Sequence, residues 1–393
     1  MMELKDIKKS YERIIHYIHR TPLIRSDSFS RLIQAEVFLK AENLQKTGSF
    51  KVRGALNKMR GLKDEGFIAA SMGNHAQGVA YAAKELGRKA RIIMPVTAPI
   101  IKQEATRGYG AEVILHGKTF SEALEYALAD REYRFIHAFD DEDVIAGQGT
   151  IGLEIIEELR GIDAVLVPVG GGGLISGLAV AIKEISPNTE IIGIQAESAP
   201  SGYRSLKAGK IEEVVPSSTI ADGIAVGRIG EKTFEIMRRY VDEIFLVKED
   251  SIAMAVLLFM ERKKLVVEGA GAVGLASMID NKDRFRGKRI VIVVSGGNID
   301  FTLIDRIIHK GLVKSGRIAI FEVIVDDVPG SLNILTGIIA SHGGNILHVF
   351  HDRLGKELPI GKTGVMFTVE TRGERHLKEI LADIELRGLE YKA

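Results

Sequence analysis

Short apolar runs alternate with longer amphipathic stretches along most of the chain. "FIAAS" (Phe67–Ser71) reads as a strand, and "HAQGVAYAAKEL" after it reads as a helix. "ARIIMP" (Ala90–Pro95) is the next strand, followed by "PIIKQEATRGYG", a helix closed by glycine. "AEVILHG", "RFIHAF", "DAVLVPV", "EIIGIQA" and "RIVIVVSGG" continue the strand series. These runs are apolar throughout rather than alternating, as in strands buried on both faces. The strand–helix alternation predicts an α/β fold, a largely parallel sheet with helices on both sides. Ligands in such sheets bind at the carboxyl ends of the strands.

The pattern changes near Ser315. "RIAIFEVIVDDVPGSLNILTGIIASHGGNILHVFHDR" and "GVMFTVETRGERHLKEILADIE" read as strand, turn at Asp327–Gly330, helix, a strand from about Asn345, a strand from about Gly364, and a helix. "FEVIV" alternates, which suits a sheet with one exposed face. The order predicts a separate α+β module of ferredoxin-like type. The join falls within Gly311–Gly316, which sets the domains at 1–314 and 315–393.

Composition narrows the function classes. The 393 residues are 46% hydrophobic and 27% charged, enough for a large core. With 53 basic against 52 acidic side chains, nothing points to nucleic acid or an anionic membrane as partner. The absence of cysteine removes disulfides, thiolate nucleophiles and sulfur-ligated metals together. "MMELKDIKKSYERIIHYIH" lacks the apolar core of a signal peptide, and no run of ~18 apolar residues occurs. A soluble cytoplasmic protein is the expectation.

Candidate chemistry sits at strand-to-helix junctions. In "VLVPVGGGGLISGLAVAIKE", four glycines, Gly170–Gly173, separate a buried strand from a helix that begins at Leu174. Glycines expose consecutive N–H groups, and a helix start adds a positive dipole end, so the segment is either a phosphate nest or a plain flexible turn. It lacks the Gly-Lys-Ser/Thr ending of a nucleoside-triphosphate loop. "FIAASMGNHAQGVAYAA" repeats the geometry: Ser71, Asn74 and His75 at a helix start either hold a carboxylate or cap the helix. Ser295 in "VIVVSGGNID" either caps the next helix or hydrogen-bonds a ligand ring.

Two patterns mislead. "GAGAVG" (Gly269–Gly274) matches a dinucleotide fingerprint, but the polar, helical "LLFMERKKLVVE" precedes it instead of a buried strand. Close helix packing by small residues is the expectation there. His16/His19 and His348/His351 are each three apart without further ligands of matching pattern, so no metal site is expected.

Lys51 in "GSFKVRGA" stands where a turn becomes a helix. A lysine becomes a nucleophile when burial lowers its pKa, and it then condenses with carbonyls, of which pyridoxal phosphate is the common cofactor form. That cofactor needs an amine, a phosphate nest, a partner for its ring nitrogen and an apolar cover. Lys51, Gly170–Gly173, Ser295 and Phe50 could supply one each.

"TGSFKVRGA", "SMGNHAQGVA", "AGQGTIGLE", "VGGGGLISG" and "SGGNID", with "TPL" (Thr21–Leu23) and "TIADGIAVG" (Thr219–Gly227), resemble the threonine dehydratase (threonine ammonia-lyase) and serine racemase family of fold-type II pyridoxal-phosphate enzymes. They occur in the family's order across roughly residues 1–314, whose fold would place largely parallel sheets in two subdomains. "DVPGSLNILTGIIASHGGNI" resembles an ACT module, an amino-acid-sensing regulatory domain. The resemblance implies that Lys51 anchors the cofactor covalently and later takes the substrate Cα proton. It implies Phe50 against the ring, Asn74 on the ring hydroxyl, and Gly170, Gly171, Gly172, Gly173 and the Leu174 amide around the phosphate. Ser295 would meet the pyridine nitrogen, and Ser71, Asn74 and His75 would bind substrate carboxylate. A serine at that nitrogen cannot supply a charge as an aspartate would, which favours prompt loss of a β-hydroxyl.

Met72 occupies the position where the racemases use a serine as the opposite-face acid, and a thioether cannot exchange a proton. The racemases' divalent-metal site has Glu197 here but Tyr203 where an acid is expected. The implied reaction is dehydration and deamination of L-threonine to 2-oxobutanoate and ammonia, with L-serine giving pyruvate. Isoleucine is the expected effector at the Asp327–Gly330 turn and the Gly343–Ile346 segment, in a homodimer or homotetramer. A serine dehydratase or racemase, or a non-catalytic amino-acid sensor, are the alternatives.

Overall fold

A computed structural model describes residues 2–353 and 358–392 and divides the chain into two compact units, Met1–Asp300 and Phe301–Ala393. The strands of the first unit are, in chain order, β1 (Leu23–Arg25), β2 (Glu36–Ala41), β3 (Gly66–Ala70), β4 (Lys89–Met94), β5 (Glu112–Leu115), β6 (Arg134–Phe135), β7 (Ala164–Pro168), β8 (Glu190–Ala196), β9 (Glu243–Val247) and β10 (Arg289–Val294). They form two sheets. The larger has the order β1-β2-β10-β7-β8-β9 and is parallel except for β1, which runs antiparallel to β2. The smaller, β5-β4-β3-β6, is parallel throughout. All five residues of β7 are buried, as the continuous apolar pattern requires.

Local chemistry sets where helices begin. Thr119 and Glu122 make a reciprocal capping box at the helix Phe120–Ala129. Asp141 accepts from the N–H groups of Asp143 and Val144 at 3.0 and 3.2 Å and so starts the helix Glu142–Glu158. That helix packs against the helix Gly173–Ile185 at backbone distance: a Cβ on Gly149 would lie 2.7 Å from the Gly177 carbonyl oxygen, and one on Gly152 would lie 2.9 Å from the Ala181 Cβ. "GAGAVG" falls in the helix Gly269–Asp280, where a Cβ on Gly274 would meet Ile292 Cγ2 of β10 at 2.6 Å. Close packing is therefore what these glycines provide.

The second unit carries β11 (Ile318–Asp326), β12 (Asn345–Asp352), β13 (Lys362–Glu370) and β14 (Glu390–Lys392) in an antiparallel sheet of order β12-β13-β11-β14. The helices Ser331–Ser341 and Glu374–Leu386 complete a β-α-β-β-α-β order. Ala319, Phe321, Val323 and Val325 alternate into its core with Leu335, Ile339, Phe367 and Ile380. The sequence places the join at 314/315, whereas the compact unit starts at Phe301. The helix Phe301–Lys314 packs on β11, burying Ile304 and Ile307, and so groups with the second unit. Among the described residues, no helix is long and apolar enough to cross a membrane.

A charge cluster is buried inside the first unit. The Arg53 guanidinium donates to both Glu42 carboxylate oxygens at 2.8 Å and to Glu154 at 2.7 and 3.0 Å. Lys40 Nζ meets Glu154 at 2.6 Å and donates to the Thr21 carbonyl at 2.6 Å. All four charged side chains are fully excluded from solvent. Two cations and two anions compensate, so removing one partner leaves the rest stranded. Arg53→Met should therefore lower unfolding free energy by about 3–5 kcal/mol, read from the shift in a urea midpoint.

Candidate active site

Two loops at the carboxyl ends of neighbouring strands are tied together. After β2, the chain turns through Gly48, with φ +69, into the helix Lys51–Arg60. After β10 it runs through Ser295, Gly296 and Gly297. The Phe50 N–H donates to the Ser295 carbonyl at 3.1 Å and the Gly297 N–H to the Gly48 carbonyl at 2.9 Å, while Ser49 and Gly296 form an isolated bridge. Lys51 is thereby set beside Ser295, which is buried.

Lys51 is partly buried and donates from Nζ to the Ala138 carbonyl at 3.0 Å. Its ammonium lies 5.2 Å from the Phe50 ring centre. Burial lowers its pKa to about 8, against the opposing pull of Glu268. About a tenth of this amine is therefore free base at pH 7, far more than of a surface lysine.

The glycine segment follows β7. Gly172 has φ +94, which favours glycine, and it precedes the helix Gly173–Ile185. A Cβ on Gly171 would collide with the Phe139 ring, and one on Gly172 would stand 2.7 Å from Met237 Sδ. The loop therefore keeps its bare N–H face only as glycine. Thr233 Oγ1 donates to the Gly171 carbonyl at 2.7 Å and fixes the turn from outside. Leu174 packs in the same apolar cluster as Phe50, so the nest and the lysine loop share one core.

The third junction lies between β3 and the helix Asn74–Glu85. Ser71 Oγ accepts the Gly73 N–H at 3.1 Å, a turn bond beside the helix start. The Asn74 amide donates to both Glu268 oxygens at 2.8 and 3.1 Å and accepts from Asn298 at 2.7 Å. His75 is buried, with Nε2 facing the Ile136 carbonyl at 2.9 Å. Burial and the nearby Lys51 push its pKa down to about 3, so the ring is neutral. Its side chain is spent on that carbonyl, while its backbone N–H stands in the first turn of the helix. Met72 packs against the apolar core beside this turn.

Glu268 carries no motif of its own. It immediately precedes "GAGAVG", and the packing of that helix on β10 carries it beneath Gly296, whose Cβ it would block. Burial and the charge of Asp222 push its pKa up to about 8, with Asn74, Lys102 and Lys51 opposing. Lys102 Nζ in turn meets Asp222 at 2.8 Å. The only sequence signal is an acid at a helix start, which alone reads as a cap.

The residues present fit pyridoxal phosphate. They combine an amine of lowered pKa, a glycine turn where a Cβ on Gly171, Gly172 or Gly173 would strike neighbouring residues, an apolar ring at Phe50 and a buried serine at the loop facing it. Among the described residues, no group of three or more His, Cys, Asp or Glu could hold a metal ion.

If Lys51 is the capturing amine, its reactivity follows its free-base fraction. In cofactor-free protein, the rate of pyridoxal phosphate capture should rise about tenfold per pH unit below pH 8 and level off above it. Glu268 holds the ammonium form, so Glu268→Gln should move that midpoint to lower pH.

Comparison with known proteins gives the family. Residues 14–296 match the family described as pyridoxal-phosphate dependent enzyme. An L-threonine ammonia-lyase of Thermotoga maritima is 50% identical over 399 aligned positions, covering 100% of this chain and 99% of that protein. One from Geobacter sulfurreducens is 47% identical, covering 98% and 97%. A crystal structure of threonine deaminase from T.th. superposes with a TM-score of 0.74 at 45% identity, covering 76% of this chain and 99% of that one. A match over residues 14–296, which span Lys51 and the glycine segment, and relatives of 47–50% identity place this chain in the pyridoxal-phosphate-dependent enzyme family.

Proposed function

We propose that the chain converts L-threonine to 2-oxobutanoate and ammonia, and L-serine to pyruvate and ammonia. The observation that carries this reading is that Lys51 Nζ reaches the Ala138 carbonyl at 3.0 Å, one residue before the Phe139 ring that packs on Gly171. Similarity to two L-threonine ammonia-lyases over nearly the whole length supports the choice of substrate. When bound, pyridoxal phosphate supplies a carbonyl carbon that captures amines and a ring that draws electrons from the substrate Cα–H bond.

The protein's residues do the rest. N–H groups of Gly170–Gly173 and Leu174 hold the phosphate, Phe50 covers the ring, and Ser295 meets the ring nitrogen without adding a charge. Asn74, braced by Glu268 and Asn298, faces the ring hydroxyl. Ser71, Asn74 and the N–H of His75 receive the substrate carboxylate. Lys51 would hold the cofactor through Nζ, and the same amine as free base would take the Cα proton. Met72 offers no exchangeable proton on the other side, so elimination of the β-hydroxyl wins over inversion. Water then completes conversion to the 2-oxo acid and ammonia.

The second unit resembles an ACT module, and its β-α-β-β-α-β order supports a regulatory role. Isoleucine would bind where Gly330, with φ +101, opens the helix Ser331–Ser341 and where Gly343, with φ +76, follows it. Pairing of such units gives a homodimer or homotetramer in the cytoplasm.

Loaded protein should release 2-oxobutanoate from L-threonine, and Lys51→Ala should cut the rate by on the order of 10²–10⁴-fold. Serine outperforming threonine by a wide margin would overturn the substrate choice. Isoleucine should alter threonine turnover in the full chain, and a chain ended at Asp300 should lose that response. An unchanged response in the shortened chain rules out the second unit as the effector site.

A further inference from the structure

Gln148 lies in the helix Glu142–Glu158, within "AGQGTIG", and is 1% exposed. Neither its Nε2 nor its Oε1 has a hydrogen-bond partner. A buried carboxamide with both ends unpaired is costly, and folds keep one where something else completes it.

Its surroundings say what that is. A Cβ on Gly54 would lie 3.2 Å from Gln148 Cγ, and a Cβ on Gly173 would lie 2.7 Å from Gln148 Oε1. The side chain therefore passes beneath the first turn of the Lys51–Arg60 helix and ends against the first residue of the Gly173–Ile185 helix. Phe139 bounds the same spot, with its Cα 3.0 Å from the Gly173 Cβ position. Helix-start N–H groups have no partner within their own helix. The unpaired carboxamide end, with its Oε1 placed against Gly173, thus lies beside helix-start N–H groups of one glycine turn. A ligand with several acceptor oxygens satisfies both, and a phosphate monoester is such a ligand.

We propose that Gln148 is a binding residue for the cofactor's phosphate, its side-chain NH₂ adding a donor to the backbone nest of Gly170–Gly173. The proposal rests on the reading of that nest as the phosphate site. It gives the interior of "AGQGTIG" a role in affinity as well as in helix packing.

The test measures binding to cofactor-free protein, using pyridoxal phosphate, pyridoxal and inorganic phosphate. Gln148→Met keeps length and removes both polar atoms, and Gln148→Glu replaces the donor with an anion. Gln148→Met should weaken pyridoxal phosphate by about 10- to 100-fold, the range of one hydrogen bond to a charged group, and leave pyridoxal unchanged. Its cofactor-free melting temperature should hold or rise, since an unpaired buried amide has gone. Gln148→Glu should weaken pyridoxal phosphate further and shift the ³¹P resonance of whatever remains bound. Equal loss for pyridoxal and pyridoxal phosphate, or no loss in either variant, overturns the role of Gln148. If inorganic phosphate fails to compete with pyridoxal phosphate in the unsubstituted protein, the nest reading falls and this inference with it. Competition there, with normal affinity in both variants, leaves the nest standing and removes Gln148 alone.

Discussion

The site depends on a clasp made of backbone. Phe50 donates to the Ser295 carbonyl and Gly297 to the Gly48 carbonyl, and these bonds join loops that follow two paired parallel strands. Because β2 and β10 are in register up to Ala41 and Val294, their loops emerge side by side. The clasp fixes where the helix beginning at Lys51 starts, and the Lys51 Nζ reaches the Ala138 carbonyl rather than open solvent. No side-chain chemistry is needed for this placement. The sequence requirement falls instead on shape, at Gly48, where a Cβ would strike Asn298.

Around that clasp the buried charges divide into two kinds. Arg53, Lys40, Glu42 and Glu154 are matched in number and closely bonded, and they lock the Lys51 helix to β2 and to the helix Glu142–Glu158. Lys51 and Glu268 are not bonded to each other. Their pKa values, both about 8, are displaced toward one another by burial. The first group holds position and the second holds reactivity, and Arg53 stands only two residues from Lys51. A fold can keep strained ionisable groups at a site when compensated ones nearby keep the backbone still.

Much of this was readable in the sequence because it is local. The apolar runs β3, β4, β7, β8 and β10 declare themselves, and so does the alternation in β11. Glycine runs before helices mark the nest. What escaped is what long-range packing decides. β1 and β14 have three residues each, too few for any periodicity. The helix Phe301–Lys314 has a clear apolar stripe, but a stripe does not say which sheet it will meet. Glu268 and Gln148 lie in ordinary helical surroundings and matter only because the Gly269–Asp280 and Glu142–Glu158 helices deliver them to a glycine on another element. His75 shows the reverse: the motif was legible, but the direction of its ring was not.

The seam between the helices Glu142–Glu158 and Gly173–Ile185 has a mechanical consequence. Interfaces made of long side chains absorb sliding by changing rotamers. Here Gly149 faces the Gly177 carbonyl with no side chain between them, so there is nothing to swivel. The two helices move as one plate or not at all. A glycine turn carried at the end of such a plate is shaped during folding, and its ordering entropy is met there.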